Sequence, residues 1–286
     1  ANITGDQNTA IGYATLVLNT AADENTAVGS LALYTTTGQR NTAVGATALQ
    51  LTTTGVSNTA VGFATMNANT SGDWNTAIGQ NALDANTTAD DNTAVGANAL
   101  SANTTGTGNV AVGRHALAVN TTADSNTGIG ANALIANTTG TLNSASGYNA
   151  LKTNTTGSYN SGFGVNTLGA NTTGASNVAV GYLALDANTT ASNNIAVGHS
   201  ALGVNTTGTQ NTAVGSTALD ANTTADYNTA IGYNVLGANT TGASNTALGA
   251  NALDANTTAD ANTAIGHNAL GANITGDDNT AIGYAA

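Results

Sequence analysis

Cysteine and proline are both absent from the 286 residues of this chain. Without cysteine there is no disulfide framework and no thiolate site. Without proline, every residue keeps the backbone N–H that pairing between strands requires. Basic residues are also scarce. The chain has three Lys and Arg residues and fifteen Asp and Glu residues, so its net charge is −12. Arg40, Arg114 and Lys152 form no basic patch, so neither nucleic acid nor an anionic membrane surface is an expected partner.

Aromatic residues make up 4% of the chain and charged residues 6%, whereas charged residues are about a quarter of an ordinary globular domain. No apolar run approaches the about 18 residues that a membrane-spanning helix needs, so membrane insertion is not expected. No phosphate-binding Gly-rich loop and no Gly-x-Ser-x-Gly motif is present. The histidines, His115, His199 and His267, are scattered. The sequence therefore predicts no enzyme, no cofactor and no metal.

The feature that is present is a repeat, Asn-Thr-Ala-(Val/Ile)-Gly, which returns every 17 residues. Only the interval from Asn25 to Asn41 is one residue shorter. A fixed period of this length is typical of a solenoid, in which each repeat is one structural unit stacked on the next. Repeat positions are numbered from the Asn, and coils from Asn8. Position 5 is always Gly, position 3 nearly always Ala, and position 9 Leu in every complete copy except Met66.

These positions predict an all-β fold, a parallel β-solenoid (β-roll) with one 17-residue repeat per coil. Residues 1–286 are expected to form a single continuous solenoid of about sixteen complete coils with half-coils at both ends. Within one coil, Asn75–Gly79 is predicted as a strand with a glycine corner, Ala82–Ala85 as a second strand, and Asn86–Ala89 as a turn. At the interstrand spacing, the coils would stack into a rod of roughly 75–80 Å.

The invariant asparagines at position 1 are expected to form a ladder, because in-register amides of stacked coils can hydrogen-bond along the stack. This predicted structural ladder consists of Asn8, Asn25, Asn41, Asn58, Asn75, Asn92, Asn109, Asn126, Asn143, Asn160, Asn177, Asn194, Asn211, Asn228, Asn245, Asn262 and Asn279.

Position 4 is aliphatic in almost every coil. If the Leu at position 9 and the Ala at position 3 fill the interior, strand alternation turns position 4 outward. Soluble monomers avoid long exposed apolar columns, so this column predicts lateral self-association, with a trimer as the expected form. The predicted column consists of Ile11, Val28, Val44, Val61, Ile78, Val95, Val112, Ile129, Val180, Val197, Val214, Ile231, Leu248, Ile265 and Ile282.

The Asn-Thr-Thr segment at positions 12–14 has two interpretations. As Asn-x-Thr it is a glycosylation acceptor where the turn is exposed, and as turn and ladder chemistry it needs no modification. The possible glycosylation sites are Asn86, Asn103, Asn120, Asn137, Asn171, Asn222 and Asn256.

Two further functions stay open at this point. Asp84 with Asp90, and Asp220 with Asp226, bracket the turn with carboxylates that suit calcium, which would make the chain a calcium-binding repeat protein. Alternatively, the threonine columns form a flat ice-binding face of the solenoid.

The pattern Asn-(Thr/Ser)-Ala-(Val/Ile)-Gly-x-x-Ala-Leu resembles the head repeats of trimeric autotransporter adhesins. It is also similar to the Asn-Thr-Ala-Val-Gly repeats of phage tail-fibre proteins, and both resemblances cover essentially the whole chain. They imply a trimeric, left-handed β-roll on a cell surface or outside the cell, although the adhesin repeats are shorter. The expectation is an extracellular structural or adhesive fibre segment that self-assembles, with a host-surface or matrix ligand as a further candidate partner.

The two ends of the chain are in complementary phase. Residues 1–7 nearly repeat Ala272–Asp278, and Asn279–Ala286 match Asn8–Ala14 over seven residues. Unpaired strand edges at the ends of a stack favour further pairing. Head-to-tail assembly into a filament is therefore a second expected mode of self-association, and an excerpt from a longer repetitive chain would show the same phases.

Overall fold

The computed structural model describes residues 4–286, and its regular elements are seventeen three-residue strands. The chain forms two compact units, Ala1–Asn143 and Ser144–Ala286. Unit 1 contains β1 (Thr9–Ile11), β2 (Thr26–Val28), β3 (Thr42–Val44), β4 (Thr59–Val61), β5 (Thr76–Ile78), β6 (Thr93–Val95), β7 (Val110–Val112) and β8 (Thr127–Ile129). Unit 2 contains β9 (Ser144–Ser146), β10 (Ser161–Phe163), β11 (Val178–Val180), β12 (Ile195–Val197), β13 (Thr212–Val214), β14 (Thr229–Ile231), β15 (Thr246–Leu248), β16 (Thr263–Ile265) and β17 (Thr280–Ile282).

In unit 1, each strand from β1 to β8 pairs in parallel with the next one along the chain. The register joins equal repeat positions, so that Ala77 lies beside Ala94 and Ala111 beside Gly128. One strand per repeat, paired in this way, makes each repeat one coil. The predicted fold class, an all-β parallel β-solenoid with a 17-residue coil, is therefore confirmed.

Unit 2 has the same construction from β9 to β17, with parallel pairing and equal positions in register. The continuity of a single solenoid over residues 1–286 stays a prediction. So does the part of the end-matching argument that concerns residues 1–3, which lie outside the described residues.

The interior of each coil is built from a few small and medium apolar side chains. In coil 6, for example, Ala94 at position 3, Ala99 at position 8 and Leu100 at position 9 are all completely buried. Because side chains of a strand alternate between its two faces, inward Ala94 leaves its neighbours at positions 2 and 4 pointing outward.

The predicted second strand at Ala82–Ala85 is wrong, since this segment consists of consecutive turns. Asn81 and Leu83 adopt left-handed backbone conformations, with φ of 54° and 52°. A regular strand could bury only alternate residues, whereas here Ala82 and Leu83 are adjacent and both fully buried. Left-handed leucine is unfavourable by about 1–2 kcal/mol, and the packing of both side chains in the interior offsets it.

The glycine at position 5 turns the chain out of each strand. Gly96 has a φ of +136°, and a Cβ placed on it would lie 2.6 Å from the carbonyl oxygen of Gly113 in the next coil. A side chain is therefore excluded both by the backbone conformation and by the close approach of the coils. This double restriction explains why position 5 is glycine in all seventeen repeats.

Candidate functional site

The outward side chains at positions 2 and 4 of the strands form a surface that we call the strand face. Position 2 is mostly threonine and half-buried, and position 4 is mostly Val or Ile. Ile129 of β8, for example, keeps 43% of its surface exposed, and Ile231 of β14 keeps 39%. The structure thus places the position-4 residues in an outward, partly exposed column within each unit.

No charged residue occupies position 2 or position 4 in any of the seventeen repeats. All fifteen acidic residues stand at positions 10, 16 and 17. The strand face is therefore uncharged on a strongly acidic chain, and its chemistry is that of β-branched methyl groups with interspersed threonine hydroxyls.

Behind the strand face, the position-1 asparagines stack within each unit and are fully buried from Asn25 to Asn262. The backbone N–H of Asn92 donates to Oδ1 of Asn75 in the preceding coil at 3.0 Å, and Nδ2 of Asn92 donates to the same oxygen at 3.2 Å. The shorter link therefore joins backbone to side chain, rather than one amide side chain to the next. Nδ2 of Asn92 also donates to the carbonyl oxygen of Gly106 at 2.9 Å. Position 1 therefore needs an acceptor and a donor on the same buried side chain, which the amide of Asn provides.

A second asparagine column at position 12 shares an acceptor with the first. Nδ2 of Asn75 and Nδ2 of Asn86 both donate to the carbonyl oxygen of Ala89, at 2.8 and 3.1 Å. Nδ2 of Asn86 also donates to Oδ1 of Asn69 in the preceding coil. Positions 1, 12 and 15 thus close each coil on itself and join it to its neighbour.

The seven asparagines named as possible glycosylation sites belong to this second column, and the structure buries all of them completely. Their Nδ2 atoms donate hydrogen bonds inside the coil, as Asn171 does to Gly174 and Asn222 does to Ala225. In the folded coil these nitrogens are not accessible to a modifying enzyme. The turn interpretation of Asn-Thr-Thr is the one that this geometry favours.

Aspartates at position 16 have a structural role that sequence reasoning missed. Oδ1 of Asp90 accepts the backbone N–H of Asp73 at 2.7 Å, and Oδ1 of Asp226 accepts that of Thr209 at 2.6 Å. Ser192 replaces aspartate in the same role and accepts the N–H of Ala175. The recurrence of Asp at one repeat position was the available signal, but the acceptor role depends on how successive coils stack.

Aspartates at position 10 are partly buried from solvent. Burial raises the pKa of Asp84, Asp186 and Asp220 above the ordinary value, although backbone hydrogen bonds partly oppose the effect. Asp186 lies over Gly169 of the preceding coil, where a Cβ would collide with its Oδ1. The alternation of Asp and Gly at this position therefore has a steric reason at Asp186.

Asp90 and Asp226, which the calcium interpretation used, are thus already engaged as hydrogen-bond acceptors. Asp186 and Asp220 line a shallow cleft of about 290 Å³ together with Gly203 and Ser200. Among residues 4–286, no three His, Cys, Asp or Glu side chains come together in a way that could hold a metal ion.

Aromatic and histidine side chains form short stacks at position 6, beside the strand face. The rings of Tyr182 and His199 lie 5.6 Å apart, and those of His267 and Tyr284 lie 5.2 Å apart. His199 and His267 therefore each pack on a tyrosine of an adjacent coil. Trp74, Tyr159 and Tyr227 at position 17 are also strongly exposed.

Neither a model of a known protein family nor a curated protein sequence matches this chain. Within residues 4–286 there is no helix with the length and apolar character needed to cross a membrane.

Proposed function

We propose that this chain is a structural or adhesive segment of an extracellular or cell-surface fibre, and that it self-associates laterally through the strand face, most simply as a trimer. The observation that carries the proposal is the uncharged, partly exposed column of Val, Ile and Leu at position 4 that recurs in every coil but two. Fully surrounded by water, such a column would expose far more contiguous apolar surface than soluble monomers usually do. The resemblance to adhesin heads and tail-fibre repeats supports the location outside the cell.

The solenoid suits a scaffold role because its internal bonds are repeated in every coil. The Asn columns, the Asp acceptors and the buried Leu residues stabilise the coil. The residue types at positions 6, 10, 11 and 17 can therefore differ from coil to coil. Exposed aromatics such as Trp74 and Tyr227 occur at these variable positions. They are the side chains that we expect to contact a host-surface or matrix ligand.

The test compares two acidic substitutions at aliphatic residues of similar exposure in unit 1. Ile129→Asp places a carboxylate on the strand face, whereas Val119→Asp places one at position 11, where Val119 is 41% exposed. Light scattering is expected to show that the first variant dissociates and the second keeps the mass of the parent. Equal behaviour of the two variants would exclude the strand face as the contact.

Ice binding is a second candidate, because the threonines at position 2 lie on the strands, in register and pointing outward. Thr76 lies beside Thr93, for example, with Ile78 and Val95 in the next outward column. Such a face would hold ordered water at a regular spacing. Inhibition of ice recrystallisation by the wild-type chain, lost on substitution of these threonines by lysine, would favour this function over self-association.

A further inference from the structure

Aromatic side chains are concentrated at one exposed position of the repeat. The chain has 2 Phe, 1 Trp and 8 Tyr, eleven aromatic residues in all, and six of them stand at position 6. These six keep between 50% and 81% of their surface exposed. They are Tyr13, Phe63, Tyr148, Tyr182, Tyr233 and Tyr284. Aromatic rings at this position add nothing to the buried interior of the coil, so their concentration there indicates a contact surface.

In unit 2, exposed rings follow one another along the stack. We call the position-6 side chains of coils 11 to 17 the ring row. It consists of Tyr182, His199, Ser216, Tyr233, Ala250, His267 and Tyr284. At each end of the row, a tyrosine and a histidine on adjacent coils stack, with ring centroids 5.6 Å apart in one pair and 5.2 Å apart in the other. Rings that occupy adjacent coils of this row therefore pack on one another.

Two gaps in the ring row flank Tyr233. Ser216 on one side and Ala250 on the other carry no ring and are half-buried, whereas Tyr233 keeps 61% of its surface exposed. Coils are separated by about 4.8 Å, so the coils that carry the rings on the two sides of a gap are about 9.6 Å apart. A flat ring that entered the gap would lie about 4.8 Å from each of them, which is within the range of stacked rings. Each gap therefore has the height of one ring.

The charge of the ring row favours an uncharged ligand. None of its side chains is Asp, Glu, Lys or Arg, although the chain has a net charge of −12. A polyanion would be repelled by the chain as a whole. A cationic ligand would be held best by carboxylates beside the rings, but the acidic residues stand at positions 10, 16 and 17. Charge complementarity thus indicates a neutral molecule that contains rings.

We propose that the ring row binds an uncharged polysaccharide, with one sugar ring in each of the two gaps beside Tyr233. The C–H groups on the face of a pyranose ring carry a weak positive charge and pack against the negative face of an aromatic ring. The two gaps are two coils apart, about 9.6 Å, a distance that the sugars of one chain can span. Ser216 adds a hydroxyl group that can exchange hydrogen bonds with sugar hydroxyls. The proposal rests on the adhesive function proposed above and names the class of its ligand.

The first experiment is affinity electrophoresis of the wild-type chain in native gels that each contain one soluble polysaccharide. The uncharged probes are dextran, galactomannan and mixed-linkage β-glucan, and the anionic probe is polygalacturonate. We expect at least one uncharged polysaccharide to retard the chain relative to a plain gel, and polygalacturonate to leave its migration unchanged. Unchanged migration with every uncharged probe would overturn the inference, and so would equal retardation by polygalacturonate.

Two variants test the gaps with the polysaccharide that retards the wild-type chain. Tyr233→Ala removes the ring that both gaps share, whereas Ala250→Tyr fills one gap with a ring of the chain itself. One change removes an aromatic residue and the other adds one, yet we expect each to weaken binding about tenfold. Unchanged binding by Tyr233→Ala, or stronger binding by Ala250→Tyr, would overturn the proposed gaps.

Unit 1 supplies matched controls at the same repeat position. Phe63→Ala removes a ring that is 57% exposed but has no ring on either adjacent coil. Ala97→Tyr adds a tyrosine between Gln80 and Arg114, where no ring pair exists to be completed. Both controls are expected to bind within about twofold of wild type. An equal loss of binding in Phe63→Ala and Tyr233→Ala would leave an adhesive function standing but would overturn its assignment to the ring row.

Sedimentation equilibrium of the same variants separates polysaccharide binding from lateral association. Tyr233→Ala and Ala250→Tyr are expected to keep the mass of wild type, because the ring row lies beside the strand face and not in it. A lower mass in Tyr233→Ala would show that the row contacts a second copy, and would overturn the inference. A wild-type chain that is monomeric but is retarded by an uncharged polysaccharide would refute lateral association and leave the ring row standing.

Discussion

Removal of one ladder amide, in the variant Asn211→Ala, gives the sharpest prediction about what holds a coil in place. Oδ1 of Asn211 accepts the backbone N–H of Asn228 at 2.9 Å, and its Nδ2 donates to the carbonyl oxygen of Ala225 at 2.8 Å. The alanine variant loses both bonds. The carbonyl of Ala225 keeps a second donor, Nδ2 of Asn222, whereas the N–H of Asn228 loses the acceptor provided by the ladder.

The magnitude follows from this inventory. One buried N–H without a partner is unfavourable by about 1–3 kcal/mol, and a lost hydrogen bond contributes about 0.5–1.5 kcal/mol more. We therefore expect Asn211→Ala to lower the free energy of unfolding by about 2–4 kcal/mol. Repeat stacks lose stability locally, so amide exchange should accelerate most at Asn228 and its neighbouring coils.

The assay is urea unfolding combined with hydrogen exchange, at one fixed protein concentration because association would shift the apparent stability. Gln210→Ala, at the exposed position preceding Asn211, is the matched control and should change the free energy of unfolding by less than about 0.5 kcal/mol. If the two variants lose equal stability, or if exchange at Asn228 is unchanged, the ladder does not have the role described here.

Two other substitutions test polar side chains, a buried one in unit 1 and a half-buried one in unit 2. Thr52 occupies position 12, where most coils carry an asparagine of the second column, and its buried Oγ1 has no hydrogen-bond partner among residues 4–286. Thr52→Val should therefore raise the free energy of unfolding by about 1 kcal/mol, whereas Thr54→Val at an exposed neighbouring position should not. A loss of stability in Thr52→Val would contradict this assignment. In unit 2, burial raises the pKa of Asp186 above its ordinary 3.8, while Lys152 and the N–H of Gly169 oppose the shift. The folded state therefore binds this proton more tightly than the unfolded state does. Its stability consequently falls as the pH rises through the folded-state pKa. Asp186→Asn should consequently be more stable than wild type at pH 7, by a small amount since the group is partly solvated, and the difference should vanish in urea titrations below the ordinary pKa.

The fixed period and the identity of a few positions were enough to predict the fold class. Ala94 and Leu100 lie in the interior as expected, because a coil made mostly of polar residues can bury its few aliphatic side chains only by packing them together inside. The left-handed backbone at Leu83 was not predictable, since leucine carries no local signal for that conformation. It arises because two adjacent residues, Ala82 and Leu83, must both reach the same interior.

The polar residues were harder to interpret than the apolar ones. The turn chemistry of Asn86 was recognised, but the sequence could not show whether its amide points inward or toward solvent. The role of Asp90 depends on how its coil stacks on the preceding one, because this stacking brings its carboxylate within hydrogen-bond distance of the N–H of Asp73. Such contacts form between residues 17 apart, so they become visible only once the stacking register is known.

Sedimentation equilibrium of the wild-type chain over a series of micromolar concentrations tests the central claim most directly. Lateral association through the strand face predicts a mass that approaches three times 27.7 kDa, about 83 kDa, and that falls toward one chain in Ile129→Asp but not in Val119→Asp. A wild-type mass of 27.7 kDa at every concentration would contradict the account, because the strand face would then be a stable, solvated surface of a monomer.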